Sequence, residues 1–128
     1  MIEVEVIGSA LPPGEVRELC ELAMSSAGVK SGHVAVAFVD EAEIQDLNRE
    51  HRDRDEPTDV LSFPVDGLDE VAGPRELGDI VICPPCTEDL REAVVHGALH
   101  LTGMDHETDE GEMLALQAEL LAWAAEDR

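Results

Sequence analysis

The N-terminal third of the chain changes between two hydrophobic periodicities, which predict a strand, a helix and a second strand. Residues 2–7 alternate between apolar side chains and glutamates, the pattern of a half-buried strand. A Pro-Pro-Gly turn over 12–14 leads into apolar positions at helical spacing, and Gly28 is expected to end that helix. The apolar run over 34–39 predicts an interior strand.

Shorter elements follow, separated by polar segments. Asp40 is expected to cap a short helix, with Glu43 completing a capping box. A polar loop is predicted over 48–58, and short apolar strands at 60–63 and 79–83. Residues 66–77 contain two glycines and a proline, which indicate a mobile surface loop.

Two helices are predicted towards the C-terminal end. Thr87 is expected to cap the first, which runs to Gly103, and the second starts near Thr108 or Asp109. The resulting order β-α-β-α-β-β-α-α predicts a single α/β or α+β domain spanning residues 1–128. In it one sheet carries helices packed against it.

Composition narrows the choice of function. The 128 residues are 44% hydrophobic but only 2% aromatic, so the core must be aliphatic. Eight basic residues face thirty acidic ones, giving a formal charge of −22, which excludes a basic nucleic-acid arm or a cationic membrane helix. The apolar runs are too short to predict a membrane span, and residues 1–6 lack the pattern expected of a signal peptide. Three cysteines cannot all pair with one another, so we expect a reducing cytoplasm.

Three histidines within eleven residues form the strongest chemical signal. His96 and His100 are one helical turn apart, the spacing with which two imidazoles bind one metal ion. Gly103 then allows the backbone to leave the helix, so that His106 can return as a third ligand. Three neutral nitrogens suit Zn²⁺ and leave one coordination position open for water. The alternative, three ordinary helix and cap histidines, is disfavoured by the spacing as a whole.

The same spacing occurs in metzincin metalloproteases, with one difference. Those enzymes carry a glutamate directly after the first histidine as general base, and this chain has Gly97 there. Glycine can neither accept a proton nor polarise a water molecule. Peptide hydrolysis by that mechanism is therefore disfavoured.

Four segments in order identify a family. They are Leu-Asn-Arg-Glu-His-Arg at 47–52, Pro-Thr-Asp-Val-Leu-Ser-Phe-Pro at 57–64, Leu-Gly-Asp-Ile-Val-Ile at 77–82, and the histidine segment at 96–106. Together they strongly resemble the YbeY family of rRNA maturation factors, which are metal-dependent single-strand endoribonucleases. The resemblance runs through most of the chain.

The resemblance implies a fold and a site. The fold would be a small mixed sheet flanked by helices, with a zincin-like three-histidine site at one end of a cleft. His96, His100 and His106 would bind one zinc ion per chain. Arg52 would lie at the substrate cleft and support catalysis, although the preceding residue, His51, replaces the aromatic residue usual in the family.

The resemblance also implies an activity and partners. The chain would be a zinc-dependent endoribonuclease that hydrolyses single-stranded RNA phosphodiesters in rRNA maturation and ribosome quality control. Its partners would be single-stranded RNA or rRNA and the ribosome or ribosomal proteins, with neither DNA nor a membrane among them. A second hypothesis, prompted by the charge of −22, is a metal-stabilised ribosome-assembly factor with little nuclease activity. A metallopeptidase is a weaker third.

Arg52 could either bind a phosphate or form a surface ion pair. A guanidinium can bind two phosphate oxygens and stabilise a pentacoordinate transition state. From the residues alone, a surface ion pair with Asp53 or Asp55 is the simpler interpretation, since exposed pairs are common. The family resemblance reverses that preference.

Five further polar residues are candidates with two interpretations each. Asp79 and Asp105 could orient a ligand imidazole or merely cap turns. Thr58, Asp59 and Ser62 are candidates for the substrate cleft, although Asp59 suits a turn at the start of a strand slightly better.

Cys83 and Cys86 form a single Cys-Pro-Pro-Cys motif. A redox role or a zinc site is the alternative, but no second such motif exists and the order of elements is not that of thioredoxin. Two reduced thiols are expected, with Cys83 the buried one.

Overall fold

The computed structural model describes residues 2–65, 76–105 and 107–126. Its elements follow the predicted order: β1 (Ile2–Ile7), α1 (Pro13–Ser26), β2 (Gly32–Phe38), α2 (Glu41–Arg52), β3 (Val60–Pro64), β4 (Glu76–Ile82), α3 (Leu90–Leu101) and α4 (Glu112–Glu126). A short 3-10 turn, Pro84–Cys86, precedes α3. Within the described ranges, no helix is long and apolar enough to cross a membrane.

A four-stranded mixed sheet in the order β1-β2-β4-β3 organises the molecule. β1 and β4 both run parallel to β2, and β3 pairs antiparallel with β4. Successive side chains of a strand point to opposite faces of the sheet, so β4 contributes side chains to two hydrophobic cores. Ile80 and Ile82 join the large aliphatic core with α1, α3 and α4, whereas Val81 joins Ile44 of α2 and Leu61 in a smaller one.

Helix α2 is longer than the sequence pattern predicted. The prediction of a loop from residue 48 onward was wrong, because the helix continues to Arg52. No proline or glycine interrupts this stretch, and the Asn48 side chain is buried and donates to the carbonyl of Glu56. The helix ends where Asp53 adopts a left-handed conformation, with φ of 57°. Arg52 therefore lies in the last helical turn rather than in a loop.

Three other boundaries differ from expectation. β4 begins at Glu76 rather than at residue 79, so the predicted loop is shorter, and its residues 66–75 lie outside the described residues. Thr87 does not cap α3. Its hydroxyl donates to the Cys83 carbonyl, and the carboxylate of Asp89 accepts the first helical N–H groups instead. Helix α4 begins at Glu112, a few residues later than predicted.

Candidate functional site

The centre of the candidate site is a pair of imidazoles on one face of α3. Residues four apart on a helix differ by about 40° in direction, so His96 and His100 face the same way. Their Nε2 atoms lie 3.2 Å apart, and the ring centroids are 4.7 Å apart. Both rings are half-buried. Two ring nitrogens therefore converge on one point at the surface of the helix.

Each ring is held through its other nitrogen. Nδ1 of His96 lies 2.8 Å from Oε1 of Gln117 on α4, and Nδ1 of His100 lies 3.0 Å from the carbonyl oxygen of Met104. Both partner oxygens accept hydrogen bonds, so each Nδ1 is placed to donate. In the neutral tautomer with its proton on Nδ1, a ring has its lone pair on Nε2, the atom that can bind a metal. Such hydrogen bonds to the distal nitrogen fix the tautomer and orientation of metal-binding histidines.

The geometry of this pair fits zinc. Two nitrogens bound tetrahedrally at about 2.0–2.1 Å from one zinc ion would be separated by about 3.3–3.4 Å. The observed separation is 3.2 Å, and two lone pairs this close favour a shared cation. His106, the predicted third ligand, lies outside the described residues. Within residues 2–65, 76–105 and 107–126, no group of three or more His, Cys, Asp or Glu could hold a metal ion.

Gly97 brings the histidine helix close to the sheet. A Cβ atom at this position would lie 2.5 Å from Cγ2 of Ile80, so only glycine allows this approach. The Ser62 hydroxyl donates to the Gly97 carbonyl at 3.1 Å, which joins β3 to α3. The position that carries a general base in metzincins thus faces the core instead of the cleft.

Arg52, in the last turn of α2, also contacts strand β3. Its Nη2 donates to the carbonyl oxygen of Ser62 at 3.1 Å. The carboxylate of Asp55 instead contacts Arg49 and Gln45. Among the described residues, no ion pair joins Arg52 to Asp53 or Asp55, so the surface-pair interpretation receives no support.

A cleft of about 790 Å³ contains both histidines and Arg52. Among the residues that the structure describes, the lining includes two arginines, four carboxylates and the histidine pair. The charged members besides Arg52 are Arg54, Glu56, Asp59, Asp105 and Glu107. The cleft is therefore wide enough for a nucleotide-sized ligand, and the described side chains that line it carry a net negative charge.

The sequence candidates around β3 divide between cleft and turn. Thr58, Asp59 and Ser62 all line the cleft. Asp59 also stabilises the turn that starts β3, because its Oδ1 accepts from Val60 N at 2.8 Å and from the Thr58 hydroxyl at 3.3 Å. Its carbonyl oxygen accepts from Cys83 N at 2.9 Å. The carboxylate of Asp59 thus stabilises the turn at the start of β3.

Neither aspartate considered as an orienting group accepts the two hydrogen bonds that hold the imidazoles through Nδ1. Asp79 is exposed on β4, on the face opposite to Ile80 and hence opposite to α3, and it does not line the cleft. Asp105 does line the cleft, but its Oδ1 accepts from Glu107 N at 2.9 Å and so caps the turn after α3. The described rings are oriented by Gln117 and a backbone carbonyl instead.

Sequence reasoning missed four contributors to the site. They are Gln117, the carbonyl of Met104, Arg54 and Asn48. Only Gln117 could have been noticed in the sequence. It is a polar residue on the apolar stripe of α4, four residues after Met113 and three before Leu120. It is only 7% exposed, which for a glutamine calls for a buried partner.

Comparisons with known proteins agree on one family. A family model described as Endoribonuclease YbeY matches residues 13–93. The Endoribonuclease YbeY of Rubrobacter xylanophilus is 50% identical over 103 residues, which cover 77% of this chain and 73% of the relative. That of Cellvibrio japonicus is 40% identical over 136 residues, covering 94% of this chain and 76% of the relative.

A solved structure supports the fold. The solution structure of TM1509 from Thermotoga maritima superposes with a TM-score of 0.59 at 28% identity. The match covers 99% of this chain and 91% of that one. The predicted small mixed sheet flanked by helices is thus confirmed, both by the strand order and by this likeness.

Proposed function

The chain belongs to the YbeY family of endoribonucleases, and from this we propose that it is a zinc-dependent hydrolase of single-stranded RNA in rRNA maturation and ribosome quality control. The relatives are named as endoribonucleases, which makes RNA the substrate class. The observation that carries the proposal is the placement of an oriented imidazole pair and an arginine in one cleft. Both features suit RNA hydrolysis, because polarising a phosphodiester and stabilising its developing charge lower the barrier to its cleavage.

Zinc would be held by Nε2 of His96 and Nε2 of His100 together with His106. When bound, it supplies a Lewis acid and lowers the pKa of a coordinated water towards 7. The chain contributes orientation: Gln117 and the Met104 carbonyl hold the two rings with their lone pairs converging. The family resemblance supports His106 as the third ligand.

Arg52 would bind the scissile phosphate. A guanidinium has five N–H donors, and the Ser62 carbonyl accepts one hydrogen bond from this group, leaving donors for a phosphate. That bond also fixes the side chain relative to β3, whose Ser62 hydroxyl is bonded to the histidine helix. Arg52 is thus positioned before substrate arrives, which lowers the entropic cost of binding the transition state.

The test is cleavage of a labelled single-stranded RNA by purified protein, before and after chelation and after zinc is restored. We expect loss with the chelator and recovery with zinc. His100→Ala should be inactive, while His33→Gln, which alters a histidine that does not line the cleft, should retain activity. Full activity in metal-free protein or in His100→Ala would refute the proposal.

The second candidate function is a ribosome-assembly factor with little nuclease activity. The charge of −22 favours it, because an acidic protein binds basic ribosomal proteins more readily than bare RNA. A pull-down from lysate at several salt concentrations, with and without nuclease, separates the two. Ribosomal proteins retained after nuclease treatment would favour assembly, whereas loss of every partner would count against it. The metallopeptidase alternative receives no support from the relatives' names.

A further inference from the structure

A second reactive group lies at the end of β4, away from the histidine pair. The sulfur atoms of Cys83 and Cys86 are 3.3 Å apart, although the two thiols are not bonded. Cys83 is fully buried in the small core under α2, and Cys86 is half-buried. Neither residue lines the cleft, so the proposed RNA chemistry makes no use of them.

The backbone holds the two sulfurs together. Cys86 N–H donates to the Cys83 carbonyl at 3.0 Å, closing the 3-10 turn Pro84–Cys86. Two consecutive prolines lock φ within this turn and make it stiff. The Thr87 hydroxyl adds a bond of 2.7 Å to the same Cys83 carbonyl. The sulfurs need to approach by only about 1.3 Å to reach the length of a disulfide, about 2.0 Å.

A metal does not explain the pair. A structural zinc site needs four ligands, usually cysteine or histidine. In the part of the chain that the structure describes, no third His, Cys, Asp or Glu joins these two sulfurs to make such a group. Two adjacent thiols without further ligands are suited to thiol–disulfide exchange.

We propose that Cys83 and Cys86 form a reversible disulfide by exchange with a low-molecular-weight disulfide. The more accessible Cys86 loses its proton and its sulfur attacks one sulfur of the reagent, releasing one thiol and leaving a mixed disulfide. Cys83 then loses its proton, its sulfur displaces the second reagent thiol, and the intramolecular bond forms. The two cysteines are oxidised by two electrons in total, and the reagent disulfide is reduced to two thiols.

The order of the steps follows from burial. Burial raises the pKa of the Cys83 thiol to about 11, so this sulfur is a poor first nucleophile in solution. It needs no access to solvent for the second step, since its target is the neighbouring sulfur. Cys20 is buried in the large core, and burial raises its pKa to about 12, so it serves as an internal thiol that does not react.

The protein of 128 residues is incubated in glutathione buffers with graded ratios of oxidised to reduced glutathione. Each sample is then quenched with acid, alkylated in denaturant and analysed by mass spectrometry. We expect one intramolecular disulfide, mapped to Cys83–Cys86, with Cys20 alkylated. It should exceed the mixed disulfide by at least about tenfold, because the second thiol is already in place. Reduced glutathione should reverse it.

Cys83→Ala is the matched control, since it keeps the accessible thiol and removes the one that completes the exchange. It should accumulate the mixed disulfide with glutathione on Cys86, while Cys20→Ala should behave as the wild type. A wild-type protein that stops at the same mixed disulfide, keeps all three thiols in excess oxidised glutathione, or pairs Cys20 would overturn the proposal.

Discussion

Gln117 should tune zinc affinity without touching the ion. Its side-chain oxygen lies 2.8 Å from Nδ1 of His96, and the residue is only 7% exposed. Removing a partner of this kind lowers metal affinity by about 10–100-fold. That factor corresponds to about 1.4–2.7 kcal/mol. We therefore expect Gln117→Ala to weaken zinc binding by this factor, because the His96 ring loses its fixed orientation and its defined tautomer.

The assay is competition for zinc with a chromophoric chelator, on protein shown to be folded by circular dichroism. Gln117→Glu keeps an oxygen acceptor and should bind zinc at least as tightly as the wild type. Gln45→Ala is the matched control, since its amide contacts Asp55 outside the histidine pair. Urea unfolding of the metal-free variants separates the structural cost of the lost hydrogen bond, about 0.5–1.5 kcal/mol. Wild-type zinc affinity in folded Gln117→Ala would refute the reasoning.

Three further outcomes are expected. Arg52→Ala should lower the cleavage rate by about 100-fold, and Arg52→Lys by less, as single-turnover kinetics would show. The lost bond to the Ser62 carbonyl should cost only about 0.5–1.5 kcal/mol of stability, and an unchanged rate would remove Arg52 from the mechanism. Gly97→Ala should lower the free energy of unfolding by about 1–2 kcal/mol, because the clash of the added Cβ with Ile80 outweighs the higher helix propensity of alanine. Gly14→Ala, which has open space around the added Cβ, should not lower it, and equal stability of the two variants in urea would contradict the prediction. The hydrogen bond that His33 donates to the Glu76 carboxylate raises the pKa of His33 above 6.5, so the stabilisation from this pair is complete below pH 6.5 and is lost as the pH rises through the raised pKa. His33→Gln should flatten that part of the stability profile, and an unchanged slope would count against the ion pair.

Local patterns were predictable from the sequence, and contacts across the fold were not. The strand at β1 and the imidazole pair of α3 follow from spacings of two and four residues, which depend only on backbone geometry. The end of α2 was predicted too early because asparagine favours loops in sequence patterns. In the structure, the side chain of Asn48 instead donates to the Glu56 carbonyl from within the helix. Thr87 and Asp89 are both good caps, and only tertiary packing decides between them. The partners of the imidazoles come from α4 and from a backbone carbonyl, which no local pattern specifies.

The charge of the cleft connects the proposed metal to the choice of substrate. Among the described residues, two arginines and four carboxylates line it, so these side chains together repel a phosphodiester. Three neutral histidine ligands would leave the charge of a zinc ion uncompensated, and two added positive charges would bring this lining to neutrality. A net charge of −22 over the whole chain still opposes the approach of long polyphosphate. The metal that supplies the chemistry would therefore also admit the substrate, and the surrounding acidity would favour RNA presented by a basic partner over RNA free in solution.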